Sequence, residues 1–249
     1  MSVPNPLHSN EDIALYNLEV ALKQLERLVP SPRTTLLHGA PVWRYVEQTI
    51  QQAVVVKLAR YISLLSAAKI LMEHGHVHEQ ALLQRAMDEG ESDIVFLTLA
   101  VVKGDLTDRH REFLGEFWKE EFDAPKAVDS TQDRAPPKRD KIRAYIANQT
   151  TLDPSTAIKV DRSLYRSYSG YVHGAAPHIL DLYDGRHFCV RGVADTSRHD
   201  EHRDDLWNYY YRGLYACALA AKALGDEAIF EQMRVEADAF AVATGRPVR

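Results

Sequence analysis

The chain lacks most of the features that announce a catalytic class. Two cysteines, Cys189 and Cys217, occur in 249 residues and stand in no paired spacing, which excludes a disulfide scaffold and a Cys-x-x-Cys motif. There is no Gly-rich phosphate loop, nucleophile elbow or dinucleotide fingerprint, so nucleotide-driven and serine-hydrolase chemistry are set aside. Positive charge is in deficit. Lys and Arg number 30 against 35 Asp and Glu, a formal charge of −5, so no global field draws in nucleic acid or an anionic membrane, although a local basic patch stays open. The longest apolar stretch, "AVVVKLARYISLLSAAKILM", is broken by Lys57, Arg60 and Lys69, whereas a spanning helix needs about 20 residues nearly free of charge. No membrane is therefore expected. The amino terminus lacks the basic-then-apolar layout of a signal peptide, and the expected location is the cytoplasm.

What is present is helical periodicity. Hydrophobic residues make up 45% and charged residues 26%, the balance of a chain that buries a core and folds by itself. Apolar residues at Ile13, Tyr16, Val20, Leu25 and Leu28 predict a first helix over 10–29. Pro41 suits a first helical position, and the pattern from Val42 to His74 has no internal Gly or Pro, which predicts one long central helix. Helices are further expected over 77–103, after an N-cap at Thr107, near 138–149, from "DPS" at 153–155, and over 199–224 and 226–243. The stretch 123–137, with its prolines and scattered charges, reads as a flexible loop. "DGRHFCVRG" at 184–192 reads as a small β-hairpin-like insert. The expected fold is all-α, a single helical bundle forming one domain over 1–249.

The stretch with chemical content is "YRSYSGYVHG", residues 165–174. Seven residues at 100° each bring Arg166 and His173 to within about 20° of one helical face, two turns apart. Ser169 falls on the same stripe, and Gly170 leaves room for a close approach. A guanidinium, a hydroxyl and an imidazole facing one space are the groups that cleave an RNA phosphodiester without a metal: the imidazole takes the 2′-hydroxyl proton and the guanidinium steadies the phosphate charge.

An arginine followed by six residues and a histidine, late in a helical bundle, resembles the signature of the HEPN superfamily. That resemblance implies a metal-independent ribonuclease of the kind found in toxin and antiviral defence systems, with Arg166 and His173 as the catalytic pair and Ser169 assisting. It implies no cofactor and no metal. The expected partners are RNA, a second copy in a homodimer, and a cognate antitoxin or other protein. Ser167 stands where that motif commonly has Asn, Asp or His. The same ten residues also resemble an uncharacterised family of bacterial helical proteins marked by Tyr-x-x-x-Ser-x-x-x-His, here Tyr165, Ser169 and His173, with an Arg-x-x-x-Glu on an earlier helix, here Arg85 and Glu89. This second resemblance implies supporting roles for Tyr165, Arg85 and Glu89. It leaves open an alternative, a non-enzymatic interaction or scaffold module.

Two histidine-rich runs are weaker candidates. "EHGHVHEQ" offers His74, His76 and His78 at alternating spacing around Gly75, which suits a polar turn better than converging metal ligands. His199 and His202 sit among acids of a first helical turn, where the helix dipole already explains the acids. The aromatics Trp207, Tyr209, Tyr210, Tyr211 and Tyr215 cover more than one face, as core or interface residues do.

Overall fold

The computed structural model describes residues 9–135, 137–149, 153–192 and 197–247, with the backbone alone at 197 and 198. In chain order these form α1 (Asn10–Leu25), β1 (Arg33–Leu37), β2 (Ala40–Arg44), α2 (Ile50–Glu73), α3 (Val77–Lys103), α4 (Asp108–Trp118), α5 (Arg139–Gln149), α6 (Pro154–Val172), the single turn α7 (Ala176–Ile179), α8 (Ser197–Ala223) and α9 (Glu227–Ala243). The architecture is an all-α bundle. Its spine runs through α2, α3, α8 and α9, each packed on the next, while α1 lies against α2, α8 and α9, and α5 and α6 pack on α3. No described helix is long and apolar enough to cross a membrane.

Local chemistry sets the boundaries. Ser9 opens α1 with a reciprocal capping box to Asp12, satisfying two backbone donors that a helix start leaves unpaired. Thr107 caps α4, and Asp153 caps α6 ahead of Pro154. Gly75, at φ 76°, supplies the left-handed residue that folds α3 back on α2.

The long helix expected from Pro41 starts later. Residues 33–44 form an antiparallel hairpin in which Arg33 faces Arg44 and Leu37 faces Ala40, and α2 begins after the capping box of Thr49 with Gln52. The reason lies in His38 and Gly39, which both take positive φ, 51° and 83°. That is the backbone a two-residue hairpin turn requires. The hairpin is anchored to the segment after α4 by Arg44, whose guanidinium reaches Glu120 at 2.5 and 2.7 Å. The insert near 184–192 is hairpin-like and closed by a single antiparallel bridge, Tyr183 to Phe188. The described part of the loop expected at 123–137, residues 123–135 and 137, is mostly exposed and gathered around Asp123, whose carboxylate accepts from Ser130 Oγ and from Thr131 N and Oγ1 at 2.7–2.9 Å.

One hydrophobic cluster joins residues of α1 to α6, α8 and α9, with Leu18, Leu58, Leu65, Phe96, Leu97, Leu214 and Met233 fully enclosed. Each such side chain contributes about 1.5–3 kcal/mol relative to exposure. Tyr61, also fully buried, donates its hydroxyl to the Tyr209 carbonyl at 2.7 Å, so α2 and α8 are fixed by a directional contact as well as by packing. Tyr209 and Tyr210 lie in the core, while Trp207 stacks between Tyr211 and Phe240 and donates to Thr244 Oγ1 at 2.8 Å.

Candidate functional site

The α3 segment "AMDEGESD" carries four acids in six residues, Asp88, Glu89, Glu91 and Asp93, on a helix wedged between others. Acids in such a position persist only when cations meet them. Arg212 of α8 reaches Asp88 and Glu91, both at 2.7 Å, and Asp93, 1% exposed, is held by Lys57 of α2 at 2.8 Å and Arg139 of α5 at 2.5 Å. Crowding pulls the Arg212 guanidinium down, but Glu91 and Asp88 outweigh it and its pKa rises. Arg85 donates to Glu89 at 2.8 and 3.0 Å. The sequence signal for this network was the acid density itself.

Tyr165 of α6 sits over this network. Its ring centroid lies 3.3 Å from the Arg85 guanidinium carbon and 4.5 Å from that of Arg143 of α5. Arg85 also donates to the Tyr165 carbonyl at 3.4 Å. Three residues singled out in the sequence, Arg85, Glu89 and Tyr165, are thus brought together, and they fix the register of α6 against α3. Such cation–π contacts contribute about 0.5–2 kcal/mol each.

Fixing Tyr165 turns the next residue outward. Arg166 is exposed and lines a cleft of about 590 Å³ between α5 and α6, with Lys138, Arg139, Lys141, Arg143, Arg162 and Tyr165 among its other walls. One acid, Asp140, shares the lining and pairs with Arg143 at 3.6 Å and Arg162 at 3.4 Å. A protein of net charge −5 therefore carries a concentrated basic groove. Its cations differ in availability: Arg139 is held by Asp93, Lys138 by Glu112 at 2.6 Å, whereas the side chains of Lys141 and Arg166 make no hydrogen bond or ion pair to the described residues.

No family model, curated protein or solved structure matches this chain.

Ser169 and His173 lie further along α6. His173 is the exposed C-cap of the helix, its backbone N–H donating to the Ser169 carbonyl at 3.0 Å. Seven residues at 1.5 Å rise set its backbone about 10 Å from that of Arg166 along the axis. His173 does not line the basic cleft, and Ser169 is half-buried beside it. The space left by Gly170 is filled from within: a Cβ there would meet the His178 ring at 2.1 Å, so the missing side chain admits α7.

A second constellation was not visible as a unit in the sequence. Tyr171 of α6 is faced edge-on by the rings of His78, His178 and His202, with centroids 4.4 to 5.5 Å away. Its hydroxyl bonds to Asp181 Oδ2 at 2.9 Å and to His202 Nε2 at 3.2 Å, and His202 Nδ1 meets Gln80 Nε2 at 3.2 Å. Each histidine-rich run thus sends one member to Tyr171. The rest diverge: His74 ends α2 with Nδ1 on the Ile70 carbonyl at 2.8 Å, His76 pairs with Glu79 at 3.7 Å, and His199 Nε2 meets the Met72 carbonyl at 3.1 Å. Between α6 and α8 lies a cavity of about 400 Å³ whose lining includes Asp161, Tyr168, Asp205 and Arg212. Burial is the main cause that raises the Asp161 carboxyl above its usual value, with Glu91 adding to it.

Proposed function

We propose that this protein is a HEPN-like, metal-independent ribonuclease that takes RNA along the cleft between α5 and α6. The observation that supports this reading is Arg166: a guanidinium without a side-chain partner among the described residues, standing in a basic cleft with aromatic Tyr165 beside it. Phosphate backbones are held by such cations, and a guanidinium offers paired N–H groups to two phosphate oxygens. In this reading Arg166 grips the phosphate and takes up the charge that grows on it. His173, at the open end of the same helix, accepts the 2′-hydroxyl proton as the 2′ oxygen attacks phosphorus. The 5′ oxygen leaves with a proton from an imidazolium, and the products end in a 2′,3′-cyclic phosphate and a 5′ hydroxyl. A homodimer bringing two α6 ends together shortens the gap between one copy's guanidinium and the other's imidazole.

A second reading rests on a different observation, the clamp of Arg85 and Arg143 on Tyr165. There the 165–174 stretch locks the helices of a binding module, and RNA is not cleaved.

The test incubates the full chain with total RNA in chelator, beside Arg166→Ala and His173→Ala. Cleavage by the wild type alone, leaving cyclic phosphate ends, is expected. Cleavage that survives His173→Ala refutes the proposed roles. No cleavage by the wild type, with Tyr165→Leu melting well below it, favours the second reading.

A further inference from the structure

The turn after α7 holds an Asp, a His and a Cys within six residues, "DGRHFC" at 184–189, apart from the basic cleft. One oxygen of Asp184 builds the turn: Oδ1 accepts from the backbone N–H groups of Arg186 at 2.8 Å and His187 at 2.9 Å. Gly185 at φ 97° allows the chain to reverse, and the bridge between Tyr183 and Phe188 closes it, their rings packed 5.2 Å apart. The other oxygen, Oδ2, faces two more ligand atoms. His187 Nε2 lies 3.4 Å from it and the Cys189 thiol 3.5 Å. All three ligand atoms fall within 4.8 Å of one another, the one such group of His, Cys, Asp and Glu among the described residues.

We propose that Asp184, His187 and Cys189 bind a zinc-class divalent ion through Asp184 Oδ2, His187 Nε2 and Cys189 Sγ. The separations decide this. With zinc bonds of about 2.1 Å to oxygen, 2.05 Å to nitrogen and 2.3 Å to sulfur, a tetrahedron has an oxygen–nitrogen edge of about 3.4 Å and an oxygen–sulfur edge of about 3.6 Å. The two edges present are 3.4 and 3.5 Å. The nitrogen–sulfur separation lies within 4.8 Å, against about 3.5 Å in such a tetrahedron. The donor set is the one that a borderline-soft ion prefers over calcium or magnesium, which take oxygen alone. Binding replaces the thiol proton: Cys189 as a thiol plus the ion gives a thiolate–metal bond and one proton released to solvent. Asp184 and His187 are exposed, so the fourth position opens to water. The turn already exists without the ion, which limits the ordering cost of binding.

Cys217 makes the test clean, because it is fully buried and burial pushes its thiol up to about 12. Cobalt(II) is titrated into the reduced full-length chain, and the thiolate-to-cobalt charge-transfer absorption is followed. The expected result is saturation at one equivalent, bleaching by added zinc, and slower alkylation of Cys189 when zinc is present. Cys189→Ser abolishes the band. His187→Ala and Asp184→Asn each weaken binding about tenfold or more, and Asp184→Asn retains the Oδ1 acceptor that builds the turn. No charge-transfer band from the wild type overturns the proposal. So does wild-type affinity in His187→Ala and Asp184→Asn, which would mean a lone thiol binding adventitiously.

Discussion

Asp93→Asn is the sharpest test of the account of α3. The carboxylate is 1% exposed and neutralises two cations from two other helices, Lys57 and Arg139. Asparagine keeps the shape, loses the charge and turns an amide toward one of them. Breaking a buried pair by removing one partner costs about 3–5 kcal/mol. Three features reduce that figure here. Lys57 and Arg139 remain 20% and 17% exposed and keep some water, Arg139 retains Glu89 at 3.7 Å, and Lys57 retains the Phe117 ring at 4.9 Å. The net expectation is about 2–3 kcal/mol of destabilisation. At roughly 2–4 °C per kcal/mol for a chain of this length, Tm falls by about 4–12 °C. Urea titration followed by far-ultraviolet circular dichroism measures it, with the m-value unchanged. Glu112→Gln is the control, since its partner Lys138 and Glu112 itself are more than half exposed, and water screens such a pair so that its loss should barely move stability. If Asp93→Asn is no more costly than Glu112→Gln, the view of α3 as an acid strip held by three helices fails.

Other perturbations probe separate links. Arg166→Ala should weaken RNA binding uniformly across sequences and lower the slope of log affinity against log salt by about one; an unchanged slope would place the phosphate elsewhere. Gly213→Ala would put a Cβ 2.7 Å from the Tyr61 ring, which its hydroxyl pins to the Tyr209 carbonyl. The overpacking cost of about 1–3 kcal/mol outweighs the helix-propensity gain of about 1 kcal/mol, so chemical denaturation should show a net loss, and a net gain would mean the ring can move. The hydrogen bond from Lys69 is the main cause that holds the Asp12 carboxyl below its usual 3.8. A lowered folded-state pKa contributes stability above 3.8 that is lost as pH falls through the folded value. The stability difference between wild type and Asp12→Asn should therefore shrink on acidification below 3.8, and a constant difference would assign it to capping alone.

The legibility of the sequence varied with the range of the signal. Helix α3 was readable over 77–103 and α4 from its cap at Thr107, because their markers are local. The start of α2 was misplaced although its marks were also local, Thr49-x-x-Gln52 for the capping box and His38-Gly39 for the hairpin turn. Pro41 and the apolar Val42 and Val46 fitted a helical period equally well, and only strand pairing separates the two. Arg85 and Glu89 were legible as an i, i+4 pair, and their partial burial follows from the apolar residues on either side. Their contact with Tyr165 was not, since it joins positions 80 apart through the packing of α6 on α3. The basic cleft was illegible for the same reason. Net charge counts residues, whereas α5 and α6 choose which of them face each other.

Arg139 lines the cleft and also holds Asp93 inside the bundle, and this double duty governs how genetics would see the protein. A screen for lost function would collect Arg139 substitutions readily, and most would be folding defects misread as contact residues. Lys141 and Arg166, whose side chains hold no described residue in place, are the positions where a phenotype would separate the proposed recognition from assembly. A polyanion drawing Arg139 outward would in turn compete with the helix that positions it, so occupancy of the groove and cohesion of the bundle are coupled through one guanidinium.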